Sequence, residues 1–287
     1  MKLMGIIGYP LGHTLSPVFQ QAALDHLKID ARFETWPTAP DKLAEKVASF
    51  RSQDVLGACV TLPHKQAVMP LLDSVHETAQ SIGAVNWVIN GAGGSPSSKL
   101  TGYNTDAPGF LRSLKEEAKF DPKGSDALVI GAGGAARAIV YALRSAGVAR
   151  LAIANRTVER AQELAAVMSK GRFRPKAIGL SRDELADVAP YCDLLVNTSS
   201  VGMAGGPAPE ATPLTADLIS SKALGYDAVY APLMTPFLRE VKNAGGRTAS
   251  GITMLVYQGA EGFELCTGKK APVSVMMDAL MKARAKR

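Results

Sequence analysis

A lysine and an aspartate in the first half of the chain have side chains that could carry out acid–base chemistry. Lys65 and Asp106 each follow the end of a predicted strand. Reduction of a ketone by hydride transfer needs a proton donor beside the developing alkoxide, and a lysine held near a carboxylate can fill that role. A lone lysine or aspartate is more often a solvated surface group, so the two residues by themselves leave that alternative open.

A glycine-rich turn in the middle of the chain indicates a second chemical function, the binding of a phosphate. The apolar run 128–130 is followed by Gly131, Gly133 and Ala136 in the spacing G-x-G-x-x-A, and then by a helical pattern. Free backbone amides and the positive end of a helix dipole at such a turn favour an anion. The spacing fits the dinucleotide-binding fingerprint, although a plain tight turn is the alternative for a single glycine motif.

Two arginines follow the next predicted strand, at the position that selects the cofactor in dinucleotide-binding domains. This position lies about 20 residues after the glycine turn and usually carries an acid that holds the ribose hydroxyls of NAD. Here it carries Arg156, and Arg160 lies one helical turn later. The planar guanidinium fork suits a phosphate, which favours NADP as the cofactor. The alternative is an ordinary surface arginine beside an N-cap at Thr157.

Alternating strand and helix patterns supply the elements that would position these groups. Short apolar or alternating segments predict strands, and the segments between them predict helices, so the chain is expected to form α/β units with parallel sheets. Ser16 and Pro17 mark the start of the first helix, with Ser16 as its N-cap. The predicted strands cover 3–8, 31–36, 55–60, 85–89, 99–102, 128–130, 150–154, 174–178, 193–196, 225–230 and 247–249, with a loop or hairpin tip over 91–98.

The order of these patterns predicts two domains with a cleft between them. An N-terminal α/β unit, residues 1–105, precedes the glycine turn, and a Rossmann-like nucleotide-binding unit covers residues 106–250. The final helices, in residues 251–287, have no sheet of their own and are expected to return to the first unit. Ligands in open α/β sheets lie beyond the carboxyl ends of the strands, so a ligand site is expected there.

Composition limits the classes of partner. The 287 residues carry a net charge of +6, but the basic residues are dispersed and are not interleaved with aromatic residues, which argues against nucleic-acid binding. No apolar run reaches the roughly 20 residues that span a membrane, and no signal-peptide pattern is present, so a cytoplasmic protein is expected. The three cysteines are widely separated and are interpreted as packing residues. No metal site is predicted, and a monomer or a homodimer is expected.

Nine segments, taken in chain order, resemble successive signatures of the shikimate dehydrogenase family. They are 8–17, 60–65, 83–86, 102–106, the glycine turn, 155–157, 197–203, 227–232 and 258–260. The resemblance covers nearly the whole chain and includes motifs beyond the shared dinucleotide-binding pattern. It implies NADPH-dependent, reversible reduction of 3-dehydroshikimate to shikimate, a step in the biosynthesis of aromatic amino acids. It also implies a substrate domain that the C-terminal helices complete and a Rossmann-like NADP domain.

The resemblance further implies roles for individual residues. Lys65 matches the catalytic lysine, paired with Asp106, which also binds a ring hydroxyl. The residues that match the substrate site are Thr14 and Ser16 for the carboxylate, Tyr230 near it, and Thr61, Asn86 and Gln258 for the ring hydroxyls. The residues that match the NADP(H) site are Gly131, Ala132, Gly133, Gly134, Ala135, Asn155, Arg156, Thr157 and Arg160, with Met203, Gly251 and Met254 in segments that flank the nicotinamide.

One departure from the family pattern bears on specificity. The family usually has serine at the position of Thr14, so a methyl group is added to the carboxylate pocket. Relatives that accept quinate differ around this pocket, and one methyl is worth about 1–3 kcal/mol of discrimination. A quinate/shikimate dehydrogenase with relaxed use of NAD and NADP is therefore an alternative, and a non-catalytic nucleotide-binding sensor is another.

Overall fold

The computed structural model describes residues 1–12, 14–91 and 99–285, and the chain divides into two compact units. The first unit comprises Met1–Gly109 and Leu255–Arg287, and the second comprises Phe110–Met254. Both divisions lie four residues beyond the ends predicted from the sequence, 105 and 250. Apart from Gly91, the loop predicted over 91–98 lies outside the described residues. The second unit is thus inserted into the sequence of the first.

The first unit contains a six-stranded sheet in the order β2-β1-β3-β5-β6-β4. Its strands are β1 (Lys2–Gly8), β2 (Ala31–Pro37), β3 (Val55–Val60), β4 (Ser74–Val75), β5 (Trp87–Asn90) and β6 (Leu100–Tyr103). β1 is parallel to β2 and β3, but β5 is antiparallel to both β3 and β6. The parallel pairing predicted from the βαβ alternation is confirmed for β1, β2 and β3, and the antiparallel pair β5 and β6 agrees with the hairpin predicted as an alternative to a loop between 85–89 and 99–102. Consecutive parallel strands need a long crossover, usually a helix, and only the short segment 91–99 joins β5 to β6.

Helices cover this sheet and carry part of its core. They are α1 (Ser16–His26), α2 (Leu43–Ser49) and α3 (Glu77–Ile82), together with α10 (Val273–Ala285), which packs against α1. Leu43 and Val47 of α2 pack in one buried cluster with Ile7, Val60 and Val88 of the sheet. The contact between α10 and α1 places α10 in the first unit.

The second unit contains a wholly parallel six-stranded sheet in the order β12-β11-β10-β7-β8-β9. Its strands are β7 (Asp126–Ile130), β8 (Arg150–Ala154), β9 (Lys176–Ile178), β10 (Leu194–Asn197), β11 (Leu224–Asp227) and β12 (Arg247–Ser250). Its helices are α5 (Gly134–Ser145), α6 (Val158–Met168), α7 (Arg182–Ala186) and α8 (Pro236–Asn243). The order of the strands reverses beside β7, and this is where open α/β sheets bind their ligands. The glycine turn follows β7 directly.

Two further helices contain the divisions between the units. α4 (Asp106–Glu116) begins in the first unit, and α9 (Ile252–Thr267) begins in the second. α9 ends at Thr267 and α10 begins at Val273, so the C-terminal helical segment is interrupted between these two residues. Within the described ranges, no helix has both the length and the apolar character needed to cross a membrane.

Candidate active site

A buried ion pair lies at the carboxyl ends of the first unit's strands. Lys65, in the turn after β3, donates from Nζ to Oδ2 of Asp106, the first residue of α4, at 2.5 Å. The two side chains are 14% and 7% exposed. The backbone of Lys65 is also fixed, because its carbonyl accepts from the Val85 amide at 2.7 Å. The structure therefore brings together two residues that are 41 positions apart, and it holds the ammonium group largely out of water.

Asn86 and Gln258 extend the ion pair into a larger polar group. The Asn86 side-chain amide donates to Oδ1 of Asp106 at 3.0 Å and to Oε1 of Gln258 at 3.2 Å. Both Asn86 and Gln258 are buried. We call Lys65, Asp106, Asn86 and Gln258 the lysine network. Buried polar groups are costly unless they are hydrogen-bonded, so each member of the network stabilises the placement of the others.

Two residues that the sequence did not single out hold this network in place. Thr105 donates from its amide to Oδ1 of Asn86 at 2.7 Å and from its hydroxyl to the carbonyl of Gln258 at 2.8 Å. Oδ1 of Asn104 accepts from the amide of Asp106 at 3.1 Å, in the first turn of α4. An asparagine two positions before a helical run is an N-cap signal, and it could have identified Asn104. The amino end of α4 also favours the negative charge of Asp106.

A cysteine lies close to the ion pair without taking part in it. Burial raises the pKa of the Cys59 thiol to about 12, and the nearby Lys65 ammonium opposes this only in part. The thiol therefore stays protonated at neutral pH, which agrees with its interpretation as a packing residue. In the part of the chain that is described, no group of three or more His, Cys, Asp or Glu side chains could hold a metal ion.

Three predicted substrate residues follow β1 and β3: Thr14 and Thr61 lie in loops, and Ser16 is the first residue of α1. The Ser16 amide donates to Oγ1 of Thr14 at 3.3 Å, and the Thr61 amide donates to the Ile7 carbonyl at 2.9 Å. The N-cap of α1 is Leu15 and not Ser16, so the predicted capping role of Ser16 is wrong. Among the described residues, the Ser16 hydroxyl has no hydrogen-bond partner, and it lies at the positive end of α1. This arrangement suits a carboxylate.

The glycine turn of the second unit joins β7 to α5 as predicted. Gly131 has φ +118°, and a Cβ atom there would contact Oγ1 of Thr198, so only glycine fits without strain. A Cβ atom on Gly133 would meet nothing within 4 Å, which shows that the space above the turn is open. α5 begins at Gly134, immediately after the turn. The five predicted positions, 131–135, thus cover this turn and the first two residues of α5.

The segment after β8 presents two arginines beside the amino end of α6. Arg156 and Arg160 are both exposed, and neither makes an ion pair with any described residue. The side chain of Asn155 donates to the Thr157 carbonyl at 2.8 Å, which fixes the turn. Thr157 is the N-cap of α6, although its side chain makes no capping hydrogen bond. Two exposed cations that form no ion pair with the described residues are therefore available to an anion here.

The three remaining predicted cofactor residues follow the carboxyl ends of β10 and β12. Met203 is 36% exposed, and Met254 is 7% exposed. Gly251 donates from its amide to the Asp227 carbonyl at 2.6 Å. A Cβ atom on Gly251 would lie 2.7 Å from the Ala228 carbonyl oxygen, so a larger residue would require the backbone to move. These residues lie at the same edge of the sheet as the glycine turn.

Tyr230 lies beyond β11 and beside a second buried polar group. The strand was predicted to reach residue 230 but ends at Asp227, and Tyr230 is half-buried in the loop. Asp227 accepts from the Thr235 hydroxyl at 2.5 Å, the Val229 amide at 2.9 Å and the Asn197 side chain at 3.0 Å. Burial nevertheless raises the pKa of Asp227 to about 6. The Asp227 group thus holds the ends of β10 and β11 together before the Tyr230 loop.

Arg137 is a further cation at the glycine turn that the sequence did not single out. It lies in the first turn of α5, where the helix dipole disfavours positive charge. Its Nε atom is buried and has no hydrogen-bond partner among the residues that the structure describes, and burial lowers the pKa of its guanidinium. Glu163 of α6 attracts it only from beyond ion-pair distance, in the described residues. This buried donor is one that a bound anion nearby would complement.

Family models match three parts of the chain in order. The model of the shikimate dehydrogenase substrate binding domain matches residues 6–88. The model of shikimate / quinate 5-dehydrogenase matches residues 114–201. The model of the shikimate 5'-dehydrogenase C-terminal domain matches residues 251–281. The matched segments include most residues of the lysine network, the glycine turn and the two exposed arginines.

Individual relatives extend this similarity along the full length of the chain. The chain is 42% identical over 283 residues to shikimate dehydrogenase (NADP(+)) of Methanopyrus kandleri, covering 98% of this chain and 95% of the relative. The structure of shikimate 5-dehydrogenase from Thermus thermophilus with NADP(H) and shikimate matches with a TM-score of 0.86 and 39% identity, covering 99% and 100% of the two chains. Quinate dehydrogenase from Corynebacterium glutamicum with NAD matches with a TM-score of 0.87 and 29% identity, covering 98% and 99%.

Proposed function

The chain belongs to the shikimate dehydrogenase family, and on that basis we propose that it catalyses the reversible, NADPH-dependent reduction of 3-dehydroshikimate to shikimate. The observation that carries this proposal is the buried contact between Lys65 and Asp106. A sensor that only binds nucleotides has no need of a proton donor held out of water. An enzyme that reduces a ketone does need one.

In this reaction NADPH supplies the hydride, and the chain supplies the proton. Lys65 polarises the ketone and donates a proton from Nζ to its oxygen, which becomes the hydroxyl of shikimate. Asp106 orients the ammonium through its Oδ2 atom and accepts from the neighbouring ring hydroxyl. In the oxidation of shikimate the same proton returns to the Nζ atom of Lys65, as microscopic reversibility requires.

The substrate is proposed to be held by hydroxyl and amide groups from several loops. A small polyhydroxy acid has many hydrogen-bonding groups and little apolar surface, so its site needs such convergent polar groups. Asn86 and Gln258 are assigned to the ring hydroxyls together with Thr61, because the first two already contact Asp106 or each other. Thr14, Ser16 and Tyr230 are assigned to the carboxylate. All of these residues except Tyr230 lie within residues 1–105 and 251–287, which we propose to be the substrate domain.

The cofactor is proposed to bind the second sheet at the carboxyl end of β7. The open space above Gly133 and the unpartnered Nε atom of Arg137 are features that a bound phosphate would complement. The turn from Gly131 to Ala135 would hold the pyrophosphate, and Asn155, Thr157 and the pair Arg156 and Arg160 would hold the 2′-phosphate and its ribose. Met203, Gly251 and Met254 are assigned to the nicotinamide end.

One assay tests the proposal. The purified chain is given shikimate or quinate, each with NADP or NAD, and the absorbance of the reduced cofactor is followed. We expect the highest kcat/KM with shikimate and NADP. Absence of turnover in all four combinations would overturn the enzymatic proposal and favour a sensor.

A second candidate, a quinate/shikimate dehydrogenase with relaxed cofactor use, has a specific observation in its favour. Thr14 adds a methyl group where the family usually has serine, and the structural match to a quinate dehydrogenase extends over 98% of the chain. Similar kcat/KM values for quinate and shikimate in the same assay would support this candidate. The cytoplasmic location and the monomeric or homodimeric state stay predictions of the sequence.

A further inference from the structure

A cavity of about 450 Å³ lies at the amino-terminal edge of the second unit's sheet. Asp126 and Arg150, the first residues of β7 and β8, line it, as does Lys176, the first residue of β9. The glycine turn follows the opposite, carboxyl-terminal end of β7. The cavity is therefore separate from the proposed cofactor site, and its volume lies within the roughly 300–1,000 Å³ typical of small-molecule pockets.

The net charge of the residues that line this cavity is positive. Its residues include Arg150, Arg172, Arg174 and Lys176 against two carboxylates, which leaves a net charge of +2. Arg150 is paired with one of these carboxylates, Asp126. The other three cations make no ion pair within the described part of the chain. Guanidinium forks in such a cluster suit the paired oxygens of carboxylates and phosphates.

The rest of the lining is apolar and includes two aromatic rings. Leu151 and Cys192 are buried and form part of the lining. Burial raises the pKa of the Cys192 thiol to about 12, so this side chain is neutral and acts as a packing group. Phe173 is half-buried, whereas Tyr191 is 72% exposed and presents its ring to solvent. Exposed rings beside cations are suited to a planar group that can stack on them.

From this combination we propose that the cavity is a second binding site, for a small organic polyanion that carries a planar ring. The anionic oxygens would pair with Arg172, Arg174 and Lys176, and the ring would lie against Phe173 and Tyr191. The site is independent of the proposed dehydrogenase reaction, since none of its lining residues belongs to the substrate or cofactor positions.

A simpler explanation of the cations is that they protect an edge strand. β9 lies at the edge of its sheet, and charged side chains there discourage pairing with another chain. That explanation accounts for Lys176 but requires neither a cavity nor aromatic rings beside it. The two explanations therefore differ in whether a ring increases the affinity for an anion.

Calorimetric titration with two matched probes separates them. Benzene-1,3,5-tricarboxylate and propane-1,2,3-tricarboxylate carry the same three carboxylates, but only the first has a planar ring. We expect the ringed acid to bind about tenfold more tightly, because the aromatic side chains contact only that probe. Equal dissociation constants, or no binding of either acid, would overturn the proposal.

Two triple variants test whether the ringed acid binds in the cavity. The triple variant Arg172→Ser, Arg174→Ser and Lys176→Ser changes exposed positions, and we expect it to weaken binding of the ringed acid at least ~tenfold. The matched control changes Lys115, Lys222 and Lys242 to serine, which removes the same charge at exposed positions outside the cavity. Equal losses in the two triple variants would mean that only the long-range charge acts, and would contradict a built site.

Two further measurements keep the test independent of the proposed reaction. Titrations are repeated with saturating shikimate alone and with saturating NADP alone, so that no turnover occurs, and we expect the same dissociation constant for the ringed acid. A large rise in this dissociation constant would place the probe at the substrate or cofactor positions and overturn the assignment.

Tyr191→Ser, at an exposed position, should reduce the preference for the ringed acid to about threefold, since one of two ring contacts is lost. An unchanged preference would contradict the proposed contact between the Tyr191 ring and the ring of the ligand.

Discussion

The lysine network of the first unit and the arginine pair of the second unit are built in opposite ways. In the lysine network, the side chains of Lys65 and Asp106 are only 14% and 7% exposed and pair at 2.5 Å, and neutral amides complete the hydrogen bonding. Arg156 and Arg160 are exposed and have no ion-pair partner among the described residues. The first site is therefore assembled before any ligand arrives, whereas the second offers unpaired charge to one.

This difference determines what a substitution should change. Removal of one partner from a buried ion pair leaves an uncompensated charge and costs about 3–5 kcal/mol of stability. Removal of an exposed cation usually changes stability by less than about 0.5 kcal/mol. Substitutions in the lysine network should therefore affect folding and chemistry together, and substitutions in the arginine pair should affect cofactor affinity alone.

The largest effect is expected from Lys65→Ala. Loss of the proton donor should lower kcat by about 10²–10⁴-fold, with a much smaller change in KM, because a positioned general acid contributes that much. Stopped-flow and steady-state assays with shikimate and NADP would measure it. A kcat close to that of the wild type would contradict the role of Lys65.

The stability loss in that variant needs its own control. The double variant Lys65→Met with Asp106→Asn removes both charges, so no uncompensated carboxylate is left buried. We expect urea unfolding to show that it recovers most of the lost stability, while kcat stays as low as in Lys65→Ala. Recovery of kcat together with stability would mean that Lys65 is only structural.

A second prediction concerns Asp227, a buried acid of the second unit. It tests whether burial of charge affects stability in this unit as well as in the lysine network of the first. Burial raises the pKa of Asp227 from 3.8 to about 6. Between these values the folded chain binds more protons than the unfolded chain, so the stability from protonated Asp227 is present below pH ~4 and is lost as pH rises through ~6. Relative to Asp227→Asn, the wild type should lose about 2 kcal/mol of unfolding free energy between pH 4 and pH 7.

Urea unfolding at several pH values measures this difference. Asp73→Asn is the matched control, because Asp73 has a pKa that is lowered to about 2 by hydrogen bonds from Arg51 and the Leu100 amide. The stability that ionised Asp73 provides is lost only as pH falls toward 2, so this variant should run parallel to the wild type between pH 4 and pH 7. Parallel curves for Asp227→Asn as well would show that the burial of Asp227 has no energetic consequence.

The same contrast explains what the sequence predicted well. The strand β7, the turn at Gly131 and the helix α5 are contiguous, and their glycine spacing and apolar run follow from local backbone requirements. Arg156 follows β8 at the expected distance. These features were recognised because every residue involved lies within about 30 positions of the turn, in one βαβ unit.

Features that depend on distant contacts were harder to predict. The antiparallel pairing of β5 and β6 was predicted only as one of two alternatives, a hairpin or a loop, because short apolar strands carry no signal for their direction. Thr105 was missed because its role arises from hydrogen bonds to Asn86 and to Gln258, which lies 153 positions away. The sequence placed Lys65 and Asp106 after the ends of predicted strands, but it did not predict their direct contact. The roles of the other site residues came from the resemblance to a family.

Arg156→Ala should have a smaller effect than Lys65→Ala, and the effect should be limited to the binding of NADP. Loss of a hydrogen bond to a charged group, worth about 1.5–3 kcal/mol, should weaken NADP binding roughly 10- to 100-fold. Binding of NAD, which lacks the 2′-phosphate, should be nearly unchanged. Fluorescence titration with NADPH and NADH measures both, and Arg182→Ala provides an exposed arginine that pairs with Asp217 as the control. Equal losses for the two cofactors would remove the phosphate-binding role of Arg156.

The smallest effect is expected from Thr14→Ser. This variant tests whether Thr14, in the first unit, contacts the ligand and not other protein groups, as is proposed for the arginine pair. Thr14 accepts a hydrogen bond only from the Ser16 amide among the described residues, and it is half-buried, so the loss of its methyl group should not disturb folding. If the methyl group lines the carboxylate pocket, its removal should change the ratio of kcat/KM for shikimate to that for quinate by about 1 kcal/mol, or roughly fivefold. Quinate has an extra hydroxyl beside its carboxylate, and the space left by the methyl group should favour it. An unchanged ratio would place Thr14 outside the pocket, and the choice between the two substrates would then rest on the lysine network.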